Sequence, residues 1–348
     1  MEISFPFQTN LASDISSESR EKYQKLIATL PKENGWTPMQ PLCPYQGFWF
    51  FPMFLEGVMY TQDHFQAQST DILLCSSMKT GTAWLKALSF SIATRTQFNN
   101  SISPLQTTFT HECIPFLDYG EYAASQGPRF PLLATHVPYT CLPKSVIDSG
   151  CKIVYICRDP KDNFVSLWHF VRTATRNNIK ELKEGDLISM EEAFELYCKG
   201  ISLYGPYWEH VWGYWNASLE HPEKILFLKY EDMMKETESY AKRLAEFLGC
   251  PFSLEEERGG KIQEIIQFCS FENLSNVEVN KTGIHQAQGR VPRTIDTNVS
   301  EAKASIEHLR SWGYAGSQLE DEGIEAFKKS SNSFLDALQE KANSLKSG

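Results

Sequence analysis

No run in this sequence is apolar for long enough to cross a bilayer. The N-terminal stretch MEISFPFQTNLASDISSESREK has no basic segment leading into an apolar one, so no secretory signal is expected and a cytoplasmic protein is. A basic excess is also missing. Lys and Arg number 33 against 43 Asp and Glu, a net charge of −10 at pH 7. That balance argues against general nucleic-acid binding, though it is compatible with a local basic pocket for one anionic cofactor. The nine cysteines are odd in number, scattered, and form no C-x-x-C pair. Cys75, Cys151 and Cys157 sit inside apolar runs and read as reduced core residues, which excludes a disulfide frame and a cysteine zinc site. His111-Glu112-Cys113 lacks the second histidine of H-E-x-x-H. A Walker A loop is absent as well: the glycine it needs six residues before the lysine is Leu73. An ATP-dependent kinase is disfavoured for that reason.

What is present is ordinary globular composition, 42% apolar and 22% charged over 348 residues. The pattern predicts a flexible polar segment over residues 1–20, then one domain over 21–348 with a first helix at 21–30. Residues 35–54 are dense in proline and aromatics and read as an arm packed on the core, or as the wall of an apolar pocket. A further short helix fits 55–66. The organising stretch is DILLCSSMKTGTAWLKALSFSI, residues 71–92. Ile72–Cys75 reads as a buried strand, a small-residue turn follows, and a helix starts near Ala83. Such a turn offers backbone N–H groups and a helix N-terminus to an anion, with Lys79 beside them. Further strands fit Phe130–Ala134, Lys152–Cys157 and Lys224–Tyr230. Helices fit a start at Pro160, the span 190–216 and the span Glu231–Leu248. Strands separated by helices predict an α/β fold, a central, mostly parallel sheet flanked by helices. Lys79, His136, Arg158 and Tyr230 each follow a strand, at the edge where such sheets bind ligands.

These residues resemble the cytosolic sulfotransferase family, in its plant branch. The resemblance rests on MKTGTAWLKAL (78–88), ATHVPY (134–139), YICRDPKDNFVSLWHF (155–170), FLKYEDM (227–233) and FCSFENLSNVEVNK (268–281), and covers about residues 35–281. It implies a P-loop-NTPase-like fold and transfer of a sulfuryl group from 3′-phosphoadenylyl sulfate (PAPS) to a hydroxyl of a small, aromatic or alicyclic acceptor. No metal, nucleic-acid partner or membrane is implied, and the oligomeric state is left open. Carried over by position, His136 is the general base and Lys79 neutralises the departing phosphate. Lys79, Thr80, Gly81, Thr82, Ala83 and Trp84 form the phosphosulfate loop, and Arg158 and Ser166 hold the 3′-phosphate. Trp84, Tyr230 and Phe271 pack on adenine, with Cys269 beside it. A histidine titrating near neutral pH is expected for the base.

The sequence departs from the family pattern. Met78 stands where the family usually has proline, Ala83 where it often has threonine, and Ala134 where many animal members have lysine. The family's R-K-G-x-x-G-D-W run does not follow Asn280-Lys281. Arg290 and Arg293 are the nearby cations, and residues 282–348 form a divergent region with one amphipathic helical pattern around Ile324–Leu338. The alternative reading is a catalytically impaired relative that binds a small molecule or nucleotide without turnover.

Overall fold

A computed structural model of the chain describes residues 17–120, 131–179 and 181–282. Ile72–Ser76 (β3) is buried along its whole length. It pairs on one side with Leu132–Thr135 (β4) and on the other with Lys152–Cys157 (β5), which pairs with Ile225–Lys229 (β6). All three pairings are parallel, in the order β4-β3-β5-β6. Side chains alternate along β3. Leu73 and Cys75 join a core shared with Val165 and Tyr214, while Leu74 faces the core built on the helix Thr82–Thr94 (α3). With both faces covered, these strands read as unbroken apolar runs, which is why they are visible in the sequence.

The chain runs from β3 outward to β4, then crosses to β5 on the other side. The segments after these strands therefore meet at one carboxyl edge, the usual place for a ligand in an open parallel sheet. An antiparallel hairpin, Cys43–Tyr45 (β1) with Phe48–Phe50 (β2), lies apart from the sheet. It was not foreseen in the proline- and aromatic-rich arm.

Several boundaries differ from expectation. Helix α1 spans Ser17–Thr29, so residues 17–20 are helical rather than flexible. Arg20 pairs with Glu56, and the Tyr23 hydroxyl donates to Asp63, docking α1 on the helix Pro52–His64 (α2). The span 190–216 is two helices, Met190–Cys198 and Tyr207–Glu220. Between them Gly200 and Tyr204 are left-handed, and Pro206 disfavours helix at the residue before it. The interruption is used: the Tyr204 N–H donates to the Trp49 carbonyl, and the Trp49 N–H to the Gly205 carbonyl, tying the hairpin to this turn. The span Glu231–Leu248 is likewise divided, into Tyr230–Lys235 and Thr237–Phe247. Arg290, Arg293 and the helical pattern near the C-terminus lie outside the described residues.

Candidate active site

The loop from Ser77 to Gly81 joins β3 to α3. Lys79 and Gly81 are both left-handed, with φ of 65° and 100°. Left-handed residues this close together shape a concavity of backbone N–H groups that suits an anion. At Gly81 a side chain is also excluded by space, because a Cβ there would come within 2.7 Å of the Tyr230 ring. Gly81 is the N-cap of α3 and makes no side-chain cap, so the first-turn N–H groups of Thr82, Ala83 and Trp84 receive none. The helix Pro160–Asn178 starts differently, with the Asp159 carboxylate accepting from the N–H groups of Lys161 and Asp162. Of these two helix starts, the one beside Lys79 is left without a side-chain cap.

The loop is held from below. The Thr80 hydroxyl lies 2.8 Å from the Ser77 carbonyl and 3.2 Å from that of Ile156, so it closes the turn on itself and on β5. Asn163 donates to the Met78 carbonyl at 2.6 Å and accepts from the Tyr197 hydroxyl at 2.9 Å. Thr82 and Ser76 share a hydroxyl hydrogen bond of 2.8 Å. The Lys79 ammonium sits 4.9 Å from the centroid of the Phe170 ring.

His136, just past β4, is held through both its backbone and its ring. Its N–H donates to the Asp118 carboxylate at 2.9 and 3.2 Å, and its carbonyl accepts from His210 Nε2 at 2.9 Å. Its ring Nδ1 lies 2.7 Å from the Ser76 carbonyl and, more distantly, 3.4 Å from the Ser76 hydroxyl, so the carbonyl is the dominant partner. A carbonyl can only accept, so Nδ1 carries the proton and Nε2 carries the lone pair. No hydrogen bond among the described residues engages Nε2. The imidazole is flanked by the Phe116 and Tyr204 rings, at 4.7 and 5.5 Å between centroids.

This setting corrects the expectation of a near-neutral histidine. His136 is 9% exposed. Burial, reinforced by the nearby Lys86 charge and opposed by the Ser76 carbonyl, pushes its pKa down to about 3. The same burial pushes His210 down to about 4. Asp118 is moved the other way, because burial raises its pKa against the hydrogen bonds it accepts.

Arg158 follows β5. Its backbone is fixed by Tyr207, whose hydroxyl accepts from the Arg158 N–H at 3.0 Å and donates to the Arg158 carbonyl at 2.6 Å. Its guanidinium is held loosely by comparison. Nη1 is 3.5 Å from the Lys79 carbonyl, Nη2 is 3.6 Å from Asp162, and the buried Nε has no partner. The guanidinium lies 5.0 Å from the Tyr230 ring, which meets Trp84 edge-on at 5.6 Å.

The fold thus brings together Lys79 through Trp84, Arg158 and Tyr230, and links His136 to Thr82 through Ser76. Ser166 is partly buried on the helix that begins at Pro160. Phe271 is 50% exposed, at the start of a separate short helix. Cys269 is fully buried, with its thiol 3.3 Å from the Ser91 hydroxyl. The sequence reading missed Ser76, Asp118, Asn163, Tyr207 and His210. Ser76 and Asn163 lie inside the quoted runs 71–92 and 155–170, but nothing in their spacing shows which distant groups they meet.

Comparison with known proteins settles the family. Residues 69–331 match the model of the sulfotransferase domain. Cytosolic sulfotransferase 16 of Arabidopsis thaliana is 45% identical over 269 residues, covering 76% of this chain and 78% of the relative. The chain belongs to the plant cytosolic sulfotransferases. This sulfotransferase is also 49% identical over 245 residues to the flavonol 4′-sulfotransferase of Flaveria chlorifolia, covering 70% of this chain and 75% of that one. A crystal structure of a candidate steroid sulphotransferase from Arabidopsis thaliana superposes with a TM-score of 0.61 at 36% identity, covering 87% of this chain and 96% of the other. No group of three or more His, Cys, Asp or Glu side chains among the described residues is disposed to hold a metal ion. Nor is any described helix long and apolar enough to cross a membrane.

Proposed function

We propose that this sulfotransferase transfers the sulfuryl group of PAPS to a hydroxyl of a small aromatic or alicyclic metabolite in the cytoplasm, with His136 as general base. The observation that carries this reading is the seating of His136: Nδ1 is committed to Ser76, so the lone pair stays on Nε2. A deprotonated imidazole in a fixed tautomer can accept the acceptor hydroxyl's proton, a contribution of about 10²–10⁴ in rate.

The residues present also fit the cofactor. The uncapped start of α3 and the left-handed loop suit an anion, and the unpartnered Arg158 Nε is a buried donor in need of one. When bound, PAPS supplies the sulfuryl group and an anionic leaving phosphate. Lys79 and the N–H groups of residues 80–84 would hold the phosphosulfate and offset charge at the departing oxygen. Arg158 and Ser166 would hold the 3′-phosphate, and Trp84, Tyr230 and Phe271 would pack on the base. The partly buried Phe54 and Tyr119 rings, 5.8 Å apart, adjoin Tyr204 and Phe116 beside the base and offer an acceptor apolar walls. The relatives named as flavonol sulfotransferases support an aromatic acceptor.

The absence of the R-K-G-x-x-G-D-W run favours the second reading, nucleotide binding without turnover. Calorimetric titration with adenosine 3′,5′-bisphosphate, with 5′-AMP as control, separates the two when paired with a turnover assay on PAPS. Binding that depends on the 3′-phosphate, with turnover, is expected. A folded protein that binds neither nucleotide overturns the proposal.

Acid pH gives a further test. Protonating His136 removes the base, and its low pKa means kcat/KM holds as pH falls from 7 to about 5, rather than halving near the ordinary imidazole value of about 6.5. An acid limb centred near 6.5 contradicts the lowered pKa of His136. Stability moves oppositely. The unfolded chain protonates His136 and His210 near their ordinary values, while the folded chain resists until about pH 3–4, so stability declines as pH falls through that window.

A further inference from the structure

Lys86 lies on the second turn of α3 and is fully buried. Its Nζ donates to the Ile114 carbonyl at 2.8 Å and sits 3.2 Å from the centroid of the Phe116 ring. Stability alone gives little reason for this choice. Removing an ammonium from water is costly, and an apolar residue of similar volume often serves a core better. Asp118, Cys113 and His136 are ionisable groups that bear on this amine, and burial pulls its pKa well below the ordinary lysine value.

The segment that Lys86 grips is tied to α2, where the Thr61 hydroxyl donates to the Leu117 carbonyl at 2.6 Å, and to β4 beside His136. The Pro115 carbonyl accepts from the Ala134 N–H at 2.9 Å, and Phe116 bridges to Ala134 in parallel register. The Phe116 ring lies 4.7 Å from the His136 imidazole. The Asp118 carboxylate accepts the His136 N–H. Residues 114–118 thus form the seat of His136, and Lys86 fastens that seat to the helix that begins at the phosphate loop.

We propose that Lys86 is a positioning residue for His136, acting through the Ile114 carbonyl and the Phe116 ring. It sets the imidazole relative to the loop that carries Lys79 and touches no ligand itself. The inference rests on His136 being the base.

The test compares Lys86→Met, Lys86→Gln and Phe116→Leu in the full chain. PAPS is the donor, and the acceptor is the one the unaltered enzyme sulfates fastest in a panel of flavonols and hydroxysteroids. Lys86→Met keeps the volume and loses the donor; kcat is expected to fall roughly 10- to 100-fold, the scale of a small misplacement of a catalytic group, with KM changed little. Lys86→Gln keeps an N–H donor and is expected to recover most of that loss. Phe116→Leu removes the ring between Lys86 and the imidazole and is expected to lower kcat in the same selective way. Affinity for adenosine 3′,5′-bisphosphate should stay unchanged in all three. An independent readout is the ¹³C resonance of the His136 imidazole, assigned with His136→Ala: one Nδ1–H tautomer is expected in the unaltered protein and a tautomer mixture in Lys86→Met. Unchanged kcat and an unchanged tautomer in folded Lys86→Met overturn the inference. Where that variant does not fold, unchanged kcat in Phe116→Leu does so. Turnover retained by His136→Ala defeats the base assignment instead, whereas loss there beside normal Lys86 and Phe116 variants defeats this inference alone.

Discussion

Replacing His136 with alanine is expected to lower turnover by about 10²–10⁴-fold while affinity for adenosine 3′,5′-bisphosphate changes little. The substitution is clean because the hydrogen bonds to Asp118 and from His210 belong to its backbone. The N–H to Asp118 and the carbonyl from His210 survive the loss of the ring. What disappears is the Nε2 lone pair and the Nδ1–H donated to Ser76. The Ser76 carbonyl is then left without that donor, at a cost of roughly 1–3 kcal/mol in stability. Turnover should therefore be compared on protein shown to be folded by near-UV circular dichroism. His136→Gln is a useful companion, since an amide can donate to Ser76 yet is not a base at neutral pH. Both variants should be inactive while only the alanine variant is less stable. Activity within tenfold of the unaltered enzyme in either variant removes His136 from the chemistry.

Arg158→Met is expected to weaken sharply the preference for adenosine 3′,5′-bisphosphate over 5′-AMP. Tyr207 fixes the Arg158 backbone from both sides, yet the guanidinium it carries has long contacts and an unpartnered Nε. A fixed backbone carrying an under-used donor set suits an anionic ligand, which supplies the buried Nε with the partner it lacks. One charge-assisted hydrogen bond contributes about 1.5–3 kcal/mol, so the methionine variant should lose roughly 10- to 150-fold in affinity for the 3′-phosphorylated nucleotide. Binding of 5′-AMP should barely change. Arg158→Lys should fall between, since an ammonium keeps the charge but not the planar fork. Calorimetry on the three proteins reads the result directly. Equal affinity of the unaltered and methionine proteins for the 3′,5′-bisphosphate moves recognition of that phosphate elsewhere.

Much of this site is local in origin, and local features are what a sequence displays. Residues 72–84 write a strand, a turn and a helix in order, and Lys79 and Gly81 are adjacent along the chain to the groups they act with. The strands of the sheet are buried on both faces, so each is a compact apolar run and each places the next residue at the same edge. Boundaries were less legible. Helical periodicity in 190–216 continues across Gly200 and Pro206, and the break is stabilised by hydrogen bonds to Trp49, some 155 residues away.

By itself, then, the amino-acid sequence determined the parallel sheet, the loop that follows β3 and the residues at the sheet's edge, because period, turn chemistry and chain adjacency are properties of neighbours. The tertiary structure alone decided which nitrogen of His136 holds the proton, since Ser76 lies 60 residues earlier. It alone lowered that imidazole's pKa, which depends on how much water reaches it. It withdrew Cys269 into the core beside Ser91, 178 residues away, and left Phe271, two positions on, half exposed. Tautomer, pKa and accessibility are set by groups distant along the chain, and a linear pattern does not encode which of those groups will meet.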